Sequence, residues 1–393
     1  MYTGYHRKAI VWILFAAVLL GCGGGGGGDV VSNEQSSTPT ISQKLSPTWS
    51  LQRATPPQLG STQVDVDAIL NHIFEDQAVQ SATLLKEGYI IGERFSSGIS
   101  ADSLGTSWSM AKSLYAAAIG VAIADDWVLS LDQPASDFLT EWIGTNKEAI
   151  TIRNILEMRA GFPDDSTIYF ADDHTQFALN LEKTTAAGTD FIYSNPTSQL
   201  FEPLLLRATG LDAHSFLRQK ILRPIGIDTN LIGMWSDRTG GNPITYFGLD
   251  MRPSDFARFG LLFARDGEWE GQQIVARDYV TSSLQAQSAF YGFQWWVLND
   301  SYFGKKTPIT VAAALGWDGQ KIYVWADQDI VLVVQTKYQH NPNQGYTLSD
   351  TNFPDTCSVR NSCPGASGAE EPSYNEFALM PLLERLADEL LGS

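Results

Sequence analysis

The chain has 393 residues, of which 44% are apolar and 18% are charged, a balance typical of a folded globular protein. This length allows one or two domains with sizeable cores. The formal net charge of -18 argues against nucleic acid as a partner, because phosphates would repel it and the sequence has no basic stripe.

The N-terminus has the pattern of a secretory signal. A basic stretch, His6–Lys8, precedes the apolar run Ala9–Leu20, which is too short to span a bilayer comfortably but fits a signal peptide. The run ends in Leu19–Cys22, which resembles a bacterial lipobox, where the Cys thiol receives a diacylglyceryl group before cleavage. We therefore expect residues 1–21 to be a signal peptide and Cys22 to carry lipid. An uncleaved anchor helix and a chance Cys after an ordinary secretory signal are the alternatives.

These features predict a protein of the bacterial cell envelope, anchored by lipid in the outer membrane and facing the periplasm. Residues 22–60 begin with oligoglycine and continue in Ser, Thr, Pro and Gln, which is the composition of a flexible tether. Cys357 and Cys363 lie close together in a Pro/Gly/Ser-rich stretch. In an oxidising compartment we expect them to form a disulfide that closes a small surface loop.

Apolar spacing predicts the order of helices and strands in the folded region. The helices are predicted over Val64–Phe74, Ser109–Ala124, Gln199–Ala208, Asp212–Leu222, Pro253–Asp266 and Asn375–Leu391. The strands are predicted over Ala82–Leu85, Tyr89–Phe95, Phe290–Val297, Gln320–Ala326 and Ile330–Lys337. This order indicates an α+β fold in which both ends of the chain build one sheet, and a mostly helical region of about residues 150–284 is inserted between them.

Ser109-Met110-Ala111-Lys112 has the form S-x-x-K at the predicted start of a helix. Residues three apart on a helix project from one face, so the Lys112 amine can reach the Ser109 hydroxyl. A Ser hydroxyl needs a base to become a nucleophile, and a Lys whose pKa is lowered by burial can serve. No other Lys has a Ser three residues before it. The sequence therefore predicts Ser109 as nucleophile and Lys112 as its activating base.

Tyr193-Ser194-Asn195 is the one Y-x-N sequence in the chain and lies in a polar, turn-like stretch after Gly188. A Tyr hydroxyl beside a Lys can shuttle a proton, and an Asn amide can orient a substrate carbonyl. Taken alone, the tripeptide fits a surface Tyr beside a turn Asn better. Its place after the S-x-x-K favours a role for Tyr193 and Asn195 in the site.

Gly316-Trp317-Asp318-Gly319-Gln320 stands before a predicted strand. Glycine at that position lets a ligand approach the backbone closely. A backbone N–H here can face that of Ser109 and form an oxyanion hole. An ordinary turn leading into a strand explains the same residues equally well.

Together, these three segments resemble the motifs of the serine β-lactamase and penicillin-binding protein superfamily. The likeness is greatest to class C β-lactamase-like esterases and 6-aminohexanoate-dimer hydrolases, and it covers most of the chain from about Val64 onwards. The flanking segments that agree are Ser109–Leu139, Ile150–Gly161, Phe191–Glu202 and Pro253–Gly271. The resemblance implies that residues 61–393 form one domain, with an antiparallel sheet flanked by helices and no cofactor.

The resemblance also implies a role for each motif residue. Ser109 is acylated, Lys112 activates it, and Tyr193 is the general base and acid. Asn195 orients the substrate, and the backbone N–H groups of Ser109 and Gln320 are the oxyanion donors.

One motif departs from the pattern of β-lactamases. Their third motif is K-T-G, whereas this chain has Trp317-Asp318-Gly319, as some esterase relatives have W-x-G. The cation that grips a β-lactam carboxylate is therefore absent from this position. We expect an esterase or amidase that works through an acyl-enzyme on small substrates, and not an efficient β-lactamase. An acidic loop with Asp164, Asp165, Asp172 and Asp173 would suit an amine-bearing acyl chain, although a solvated loop explains it more simply.

Other functions fit the sequence less well. A metallohydrolase needs His and carboxylate ligands at regular spacing, and the five His residues stand alone. An α/β-hydrolase needs G-x-S-x-G, which the sequence lacks. A β-lactamase or D-alanyl-D-alanine carboxypeptidase is one alternative. A catalytically silent envelope module that binds peptidoglycan or a β-lactam is another.

Overall fold

A computed structural model describes residues 44–238, 241–340, 351–352, 356–358 and 374–387. The predicted signal peptide, Cys22, most of the tether, and the side chains of Cys357 and Cys363 lie outside the described residues. The lipid anchor and the disulfide therefore stay predictions. Within the described ranges, no helix has the length and apolar character needed to cross a membrane.

Helices and strands follow one another along the chain in the predicted general order. The helices are α1 (Gln63–Ile73), α2 (Met110–Ala124), α3 (Ile152–Leu156), α4 (His174–Asn180), α5 (Asn195–Gln199), α6 (Phe201–Thr209), α7 (Ala213–Leu217), α8 (Pro253–Ala264), α9 (Arg277–Leu284), α10 (Asp300–Phe303) and α11 (Glu376–Glu384). The strands are β1 (Val79–Lys86), β2 (Tyr89–Phe95), β3 (Gly105–Thr106), β4 (Gly233–Ser236), β5 (Leu249–Met251), β6 (Glu268–Trp269), β7 (Gln272–Gln273), β8 (Trp296–Leu298), β9 (Val311–Gly316), β10 (Gln320–Trp325), β11 (Ile330–Thr336), β12 (Tyr338–His340), β13 (Thr351–Asn352) and β14 (Thr356–Ser358).

The main sheet has six strands in the order β2-β1-β11-β10-β9-β8, and neighbouring strands run antiparallel. Two strands from the N-terminal part thus lie beside four from the C-terminal part, which confirms the predicted assembly from both ends. β1 pairs with β11 from Val79 opposite Thr336 to Lys86 opposite Ile330. Both strands are buried throughout, which explains why β11 begins with the unbroken apolar run Ile330–Val334.

Different helices cover the two faces of the sheet, and alternation along each strand sends side chains to both. In β10, Ile322 and Val324 face the core that contains α2 and α8, whereas Tyr323 faces the core that contains α1 and α11. Helix α2 is buried on nearly all sides because it packs on the sheet and on α6 and α7 of the helical region. Gly120 of α2 also lets Tyr279 approach this helix closely, since a Cβ there would lie 2.6 Å from the Tyr279 ring.

One predicted strand is wrong over most of its length. Of Phe290–Val297, only the end belongs to a strand, β8 (Trp296–Leu298). The chain reverses before it, because Gln294 has a positive φ of 60° and the Gly292 N–H donates to the Trp295 carbonyl.

Other boundaries also differ from the predictions. The predicted helix Asp212–Leu222 divides into α7 and one turn of π-helix, Arg218–Leu222. The predicted helix Gln199–Ala208 is α6 with α5 before it, and α11 extends from Glu376 to Glu384 where Asn375–Leu391 was expected. The sequence pattern does not predict β9 at all, because its Ala-rich segment has weak strand propensity.

Candidate active site

Ser109 stands at the start of α2, after a sharp turn. Trp108 before it has a positive φ of 41°, a left-handed conformation that is uncommon for a bulky residue. Ser107 fixes this turn, since its N–H donates to the Leu249 carbonyl over 2.7 Å and its Oγ accepts from the Leu249 N–H over 3.0 Å. The Ser109 backbone is already helical, and its side chain lines the cavity described below.

Lys112 is buried one turn further along α2. Its Nζ lies 2.8 Å from Ser109 Oγ, 2.8 Å from Asn195 Oδ1 and 3.0 Å from the Tyr246 carbonyl oxygen. These three partners are neutral. Burial therefore lowers the pKa of Lys112 to about 7, although the Asp164 carboxylate raises it in part. An amine with this pKa is partly unprotonated near neutral pH and can accept the Ser109 proton.

Tyr193 lines the cavity beside Ser109, and its ring centroid lies 5.0 Å from Lys112 Nζ. Burial raises the pKa of Tyr193 above its ordinary value, although the nearby Ser109 hydroxyl lowers it in part. Tyr193 is therefore a neutral phenol near neutral pH. Of the two roles that the resemblance implies for this residue, the structure favours the proton donor, and it makes Lys112 the better base.

Asn195 is the first residue of α5, a helix that Ser194 caps through its side-chain oxygen. The Asn195 N–H donates to Asp164 Oδ1 over 2.9 Å, and its side-chain oxygen accepts from Lys112. This buried side chain thus holds the Lys112 amine beside Ser109, and the contact with substrate that the resemblance implies stays a prediction. Asp164 of the acidic loop is thus connected to Lys112 through Asn195, a connection that no sequence motif indicates.

The Gly316–Gln320 segment is the tight connection between β9 and β10. Asp318 and Gly319 have positive φ values of 60° and 94°, so two successive residues of this connection have a backbone conformation with positive φ. A Cβ at Gly316 would lie 2.3 Å from the Ser107 carbonyl oxygen. Only glycine therefore allows the end of β9 to lie this close to the turn that carries the predicted nucleophile.

Trp317 and Gln320 occupy different places around this connection. Trp317 is 46% exposed, lines the cavity and stands edge-on to Trp108, with ring centroids 5.2 Å apart. The Gln320 side chain turns into the sheet, where its Nε2 donates to Thr336 Oγ1 over 2.5 Å. Its Oε1 accepts from the Thr336 N–H over 3.1 Å. The backbone N–H of Gln320, and not its side chain, is thus the group available for its predicted role as an oxyanion donor.

A cavity of about 390 Å³ opens beside the Ser109 side chain. Its lining combines residues that the motifs predict with a Lys and a Glu that they do not. These include Ser109, Tyr193, Trp317, Gly319, Lys321 and Glu376. Lys321 Nζ lies 2.6 Å from Glu376 Oε1. The two residues come from β10 and α11, so no local spacing could have indicated their contact.

Comparison with known proteins agrees with this geometry. A family model described as Beta-lactamase matches residues 87–347, more than half of the chain. The chain belongs to the β-lactamase family. It is therefore a member of a family of serine hydrolases that includes penicillin-binding protein homologues, as the three motifs predict.

Solved structures of this family share the fold at low sequence identity. A Bacillus anthracis protein assigned as a 6-aminohexanoate-dimer hydrolase has a TM-score of 0.58 at 17% identity, covering 68% of this chain and 76% of its own. A Bacteroides dorei protein assigned as a β-lactamase has a TM-score of 0.58 at 18% identity, covering 73% and 95%. A class C β-lactamase has a TM-score of 0.54 at 13% identity, covering 72% and 92%. None of the curated protein sequences compared with the chain matches it.

Proposed function

We propose that the protein hydrolyses esters or amides of small, uncharged substrates through an acyl-enzyme on Ser109. The observation that carries the proposal is the 2.8 Å contact between Lys112 Nζ and Ser109 Oγ. Burial of this amine lowers the pKa of Lys112 to about 7. A hydroxyl beside a base with such a pKa is the nucleophile–base pair that acyl transfer requires.

The proposed reaction uses each of these groups once in acylation. The neutral Lys112 amine takes the proton as Ser109 Oγ attacks the substrate carbonyl carbon. The backbone N–H groups of Ser109 and Gln320, with the N-terminal end of α2, stabilise the negative charge on the carbonyl oxygen. The leaving alcohol or amine takes a proton from the Tyr193 hydroxyl, which is reprotonated from Lys112. Water, assisted by the same groups, then attacks the acyl-enzyme and releases the acid from Ser109.

The charges around the cavity support a preference for uncharged substrates. Trp317 stands where β-lactamases have the Lys of K-T-G, and an indole offers a single neutral donor. Among the described residues that line the cavity, Lys321 is the one cation, and it is paired with Glu376. A substrate carboxylate buried here would lose hydration without gaining an unpaired cation, which weakens its binding. Short p-nitrophenyl esters should therefore be hydrolysed well and penicillins poorly.

A fluorophosphonate probe on the purified protein tests the nucleophile directly. Wild-type protein should be labelled, and Ser109→Ala should lose labelling and on the order of 10⁴-fold or more in ester hydrolysis, because nucleophile removal disables the whole proton-transfer unit. Ser113→Ala is the matched control, since Ser113 lies one turn further along α2 and donates to the Gln294 carbonyl. Full labelling of Ser109→Ala would contradict the assignment. A folded wild type that neither labels nor hydrolyses esters would favour the silent binding module.

We further propose that Cys22 is lipidated and that the following tether holds the domain at the membrane surface. The support is the sequence pattern of the N-terminus alone. Cys22→Ser should move the protein from the membrane fraction to the soluble fraction with ester hydrolysis unchanged, because the tether lies outside the catalytic domain. Retention of this variant in the membrane fraction would instead indicate an uncleaved N-terminal helix.

A further inference from the structure

One part of the cavity wall is a hydrogen-bonded cluster around Glu376. Its Oε1 accepts from Lys321 Nζ over 2.6 Å and from the Tyr323 hydroxyl over 2.8 Å, and its Oε2 accepts from the Tyr302 hydroxyl over 3.2 Å. Burial raises the pKa of Glu376, but the Lys321 charge and these hydrogen bonds outweigh it and lower the pKa below its ordinary value. The cluster thus presents an ionised carboxylate to the cavity.

Glu376 is the more exposed member of this ion pair, and both residues line the cavity. Its side chain is 17% exposed, against 6% for Lys321. A carboxylate oxygen can accept two hydrogen bonds, and within the described part of the chain Oε2 receives one, from Tyr302. An acceptor position therefore remains for a group that enters the cavity.

Aromatic side chains connect this cluster with the nucleophile. The ring of Tyr193, which lines the cavity together with Ser109, lies 5.2 Å from the Trp296 ring. The Trp296 ring in turn lies 6.1 Å from that of Tyr302, whose hydroxyl donates to Glu376. A substrate with its scissile carbonyl at Ser109 can therefore lie along apolar ring surfaces and place a polar end at Glu376.

We infer that Glu376 determines specificity by accepting a hydrogen bond from an uncharged donor, such as a primary amide or a hydroxyl, at the far end of the substrate. A carboxylate there would be repelled by Glu376, and an ammonium would have to lose its hydration beside a carboxylate whose charge Lys321 already balances. A neutral N–H or O–H gains a charge-assisted hydrogen bond without burying a further charge. This inference rests on the proposed hydrolase function and adds the substrate class to it.

The test uses p-nitrophenyl esters of increasing chain length whose acyl groups end in a primary amide. Each is compared with an ester of the same length that ends in isopropyl, which has a similar shape and no donor. Wild-type protein should favour the amide by about tenfold or more in kcat/KM at the best length, the effect of one hydrogen bond to a charged group. A ratio near one, with both esters hydrolysed, overturns the inference and leaves the hydrolase proposal intact. Absence of Ser109-dependent hydrolysis of either ester overturns the hydrolase proposal.

Replacing the ion pair separates substrate binding from a purely structural role. Lys321→Met combined with Glu376→Met removes both charges, so no unpaired charge is left buried. The amide preference should fall to near one while the isopropyl ester is still hydrolysed. An equal loss of kcat/KM for both esters contradicts the inference, and so does an unchanged preference for the amide ester.

A control pair and a second variant complete the experiment. Arg265→Met with Asp329→Asn breaks an ion pair of 2.7 Å with comparable side-chain exposures, 13% and 20%, beyond the opposite end of β10, and should keep the amide preference. If the double Met variant does not fold, Glu376→Asp retains the charge but withdraws the carboxylate from the cavity. The preference should then fall severalfold with an unchanged Tm, and an undiminished preference again contradicts the inference.

Discussion

Two buried lysines contribute to the same site in different ways. Lys112 contacts three neutral oxygen atoms, and burial lowers its pKa to about 7. Lys321 contacts the ionised carboxylate of Glu376 at 2.6 Å. Neutral partners favour loss of the Lys112 proton, which suits a base. The carboxylate partner keeps the positive charge of Lys321 in place, so Lys321 can only position or select the substrate. The partner of a buried lysine, more than its burial, therefore decides what chemistry it can perform.

Among the variants that test this comparison, those at Lys112 should have the largest effect on ester hydrolysis. Lys112→Ala should lower kcat/KM for p-nitrophenyl acetate by about 10³-fold, within the range that general acid–base catalysis contributes. Lys112→Arg should not recover the activity at any usable pH, because a guanidinium does not lose its proton. Lys147→Ala is the control, since Lys147 is also buried against a neutral oxygen, 2.9 Å from the Leu179 carbonyl. If folded Lys112→Ala loses less than tenfold in kcat/KM, Lys112 has a structural role and is not the base.

A lysine introduced at Trp317 should have an intermediate effect. Trp317→Lys places an additional cation beside the cavity, so anionic substrates should bind better. The kcat/KM ratio of nitrocefin to p-nitrophenyl acetate should rise by about tenfold. Trp127→Lys replaces an indole of similar exposure, 48%, and should leave the ratio unchanged. Efficient nitrocefin hydrolysis by the wild type would show that Lys321 binds substrate carboxylates in spite of Glu376, and would favour a β-lactamase or carboxypeptidase.

The smallest effect is expected from Asp164. Ester hydrolysis should decline as the pH falls through about 7, because protonated Lys112 cannot accept the Ser109 proton. Asp164→Asn removes a charge that raises the pKa of Lys112 and keeps an oxygen for the Asn195 N–H, so this acid limb should move to lower pH. The shift should be less than about one pH unit, because Asp164 is exposed and solvent screens its charge.

The neighbouring Asp165 provides the control for this pH profile. Asp165 lies in the same loop, and its carboxylate accepts from the Thr167 hydroxyl over 2.6 Å. Asp165→Asn should leave the profile of kcat/KM against pH unchanged. A shift of the acid limb to higher pH in Asp164→Asn, or equal shifts in both variants, would show that Asp164 does not act on Lys112 through its charge.

The sequence predicts the nucleophile end of the site because that end is local. Ser109 and Lys112 lie on one face of one helix, and three residues of spacing are enough to place them. The protonation of Tyr193 is not predictable in the same way, since it depends on burial by elements far away in the sequence. The same holds for Asn195, whose contact with Lys112 appears only when α5 packs near α2.

The far end of the cavity has no such local signal. Lys321 and Glu376 meet because α11 packs beside the sheet, and neither residue stands in a motif. Strand β9 was likewise unpredictable, because pairing with β8 and β10 imposes the extended conformation on an Ala-rich segment. The assembly from both ends was predictable, because the strongly apolar β11 and the strand-like segments of β1 and β2 are visible in the chain itself.

The pairing of β1 with β11 has a consequence for the synthesis of the protein. Ser81 and Gln335, hydrogen-bonded across the two strands, are separated by 254 positions. During translation, β1 and β2 therefore emerge long before their partner, and a two-stranded hairpin is only marginally stable in water. Contacts between such distant segments also form slowly, because a long loop must close first. The main sheet should therefore be completed only after almost all of the chain has been synthesised.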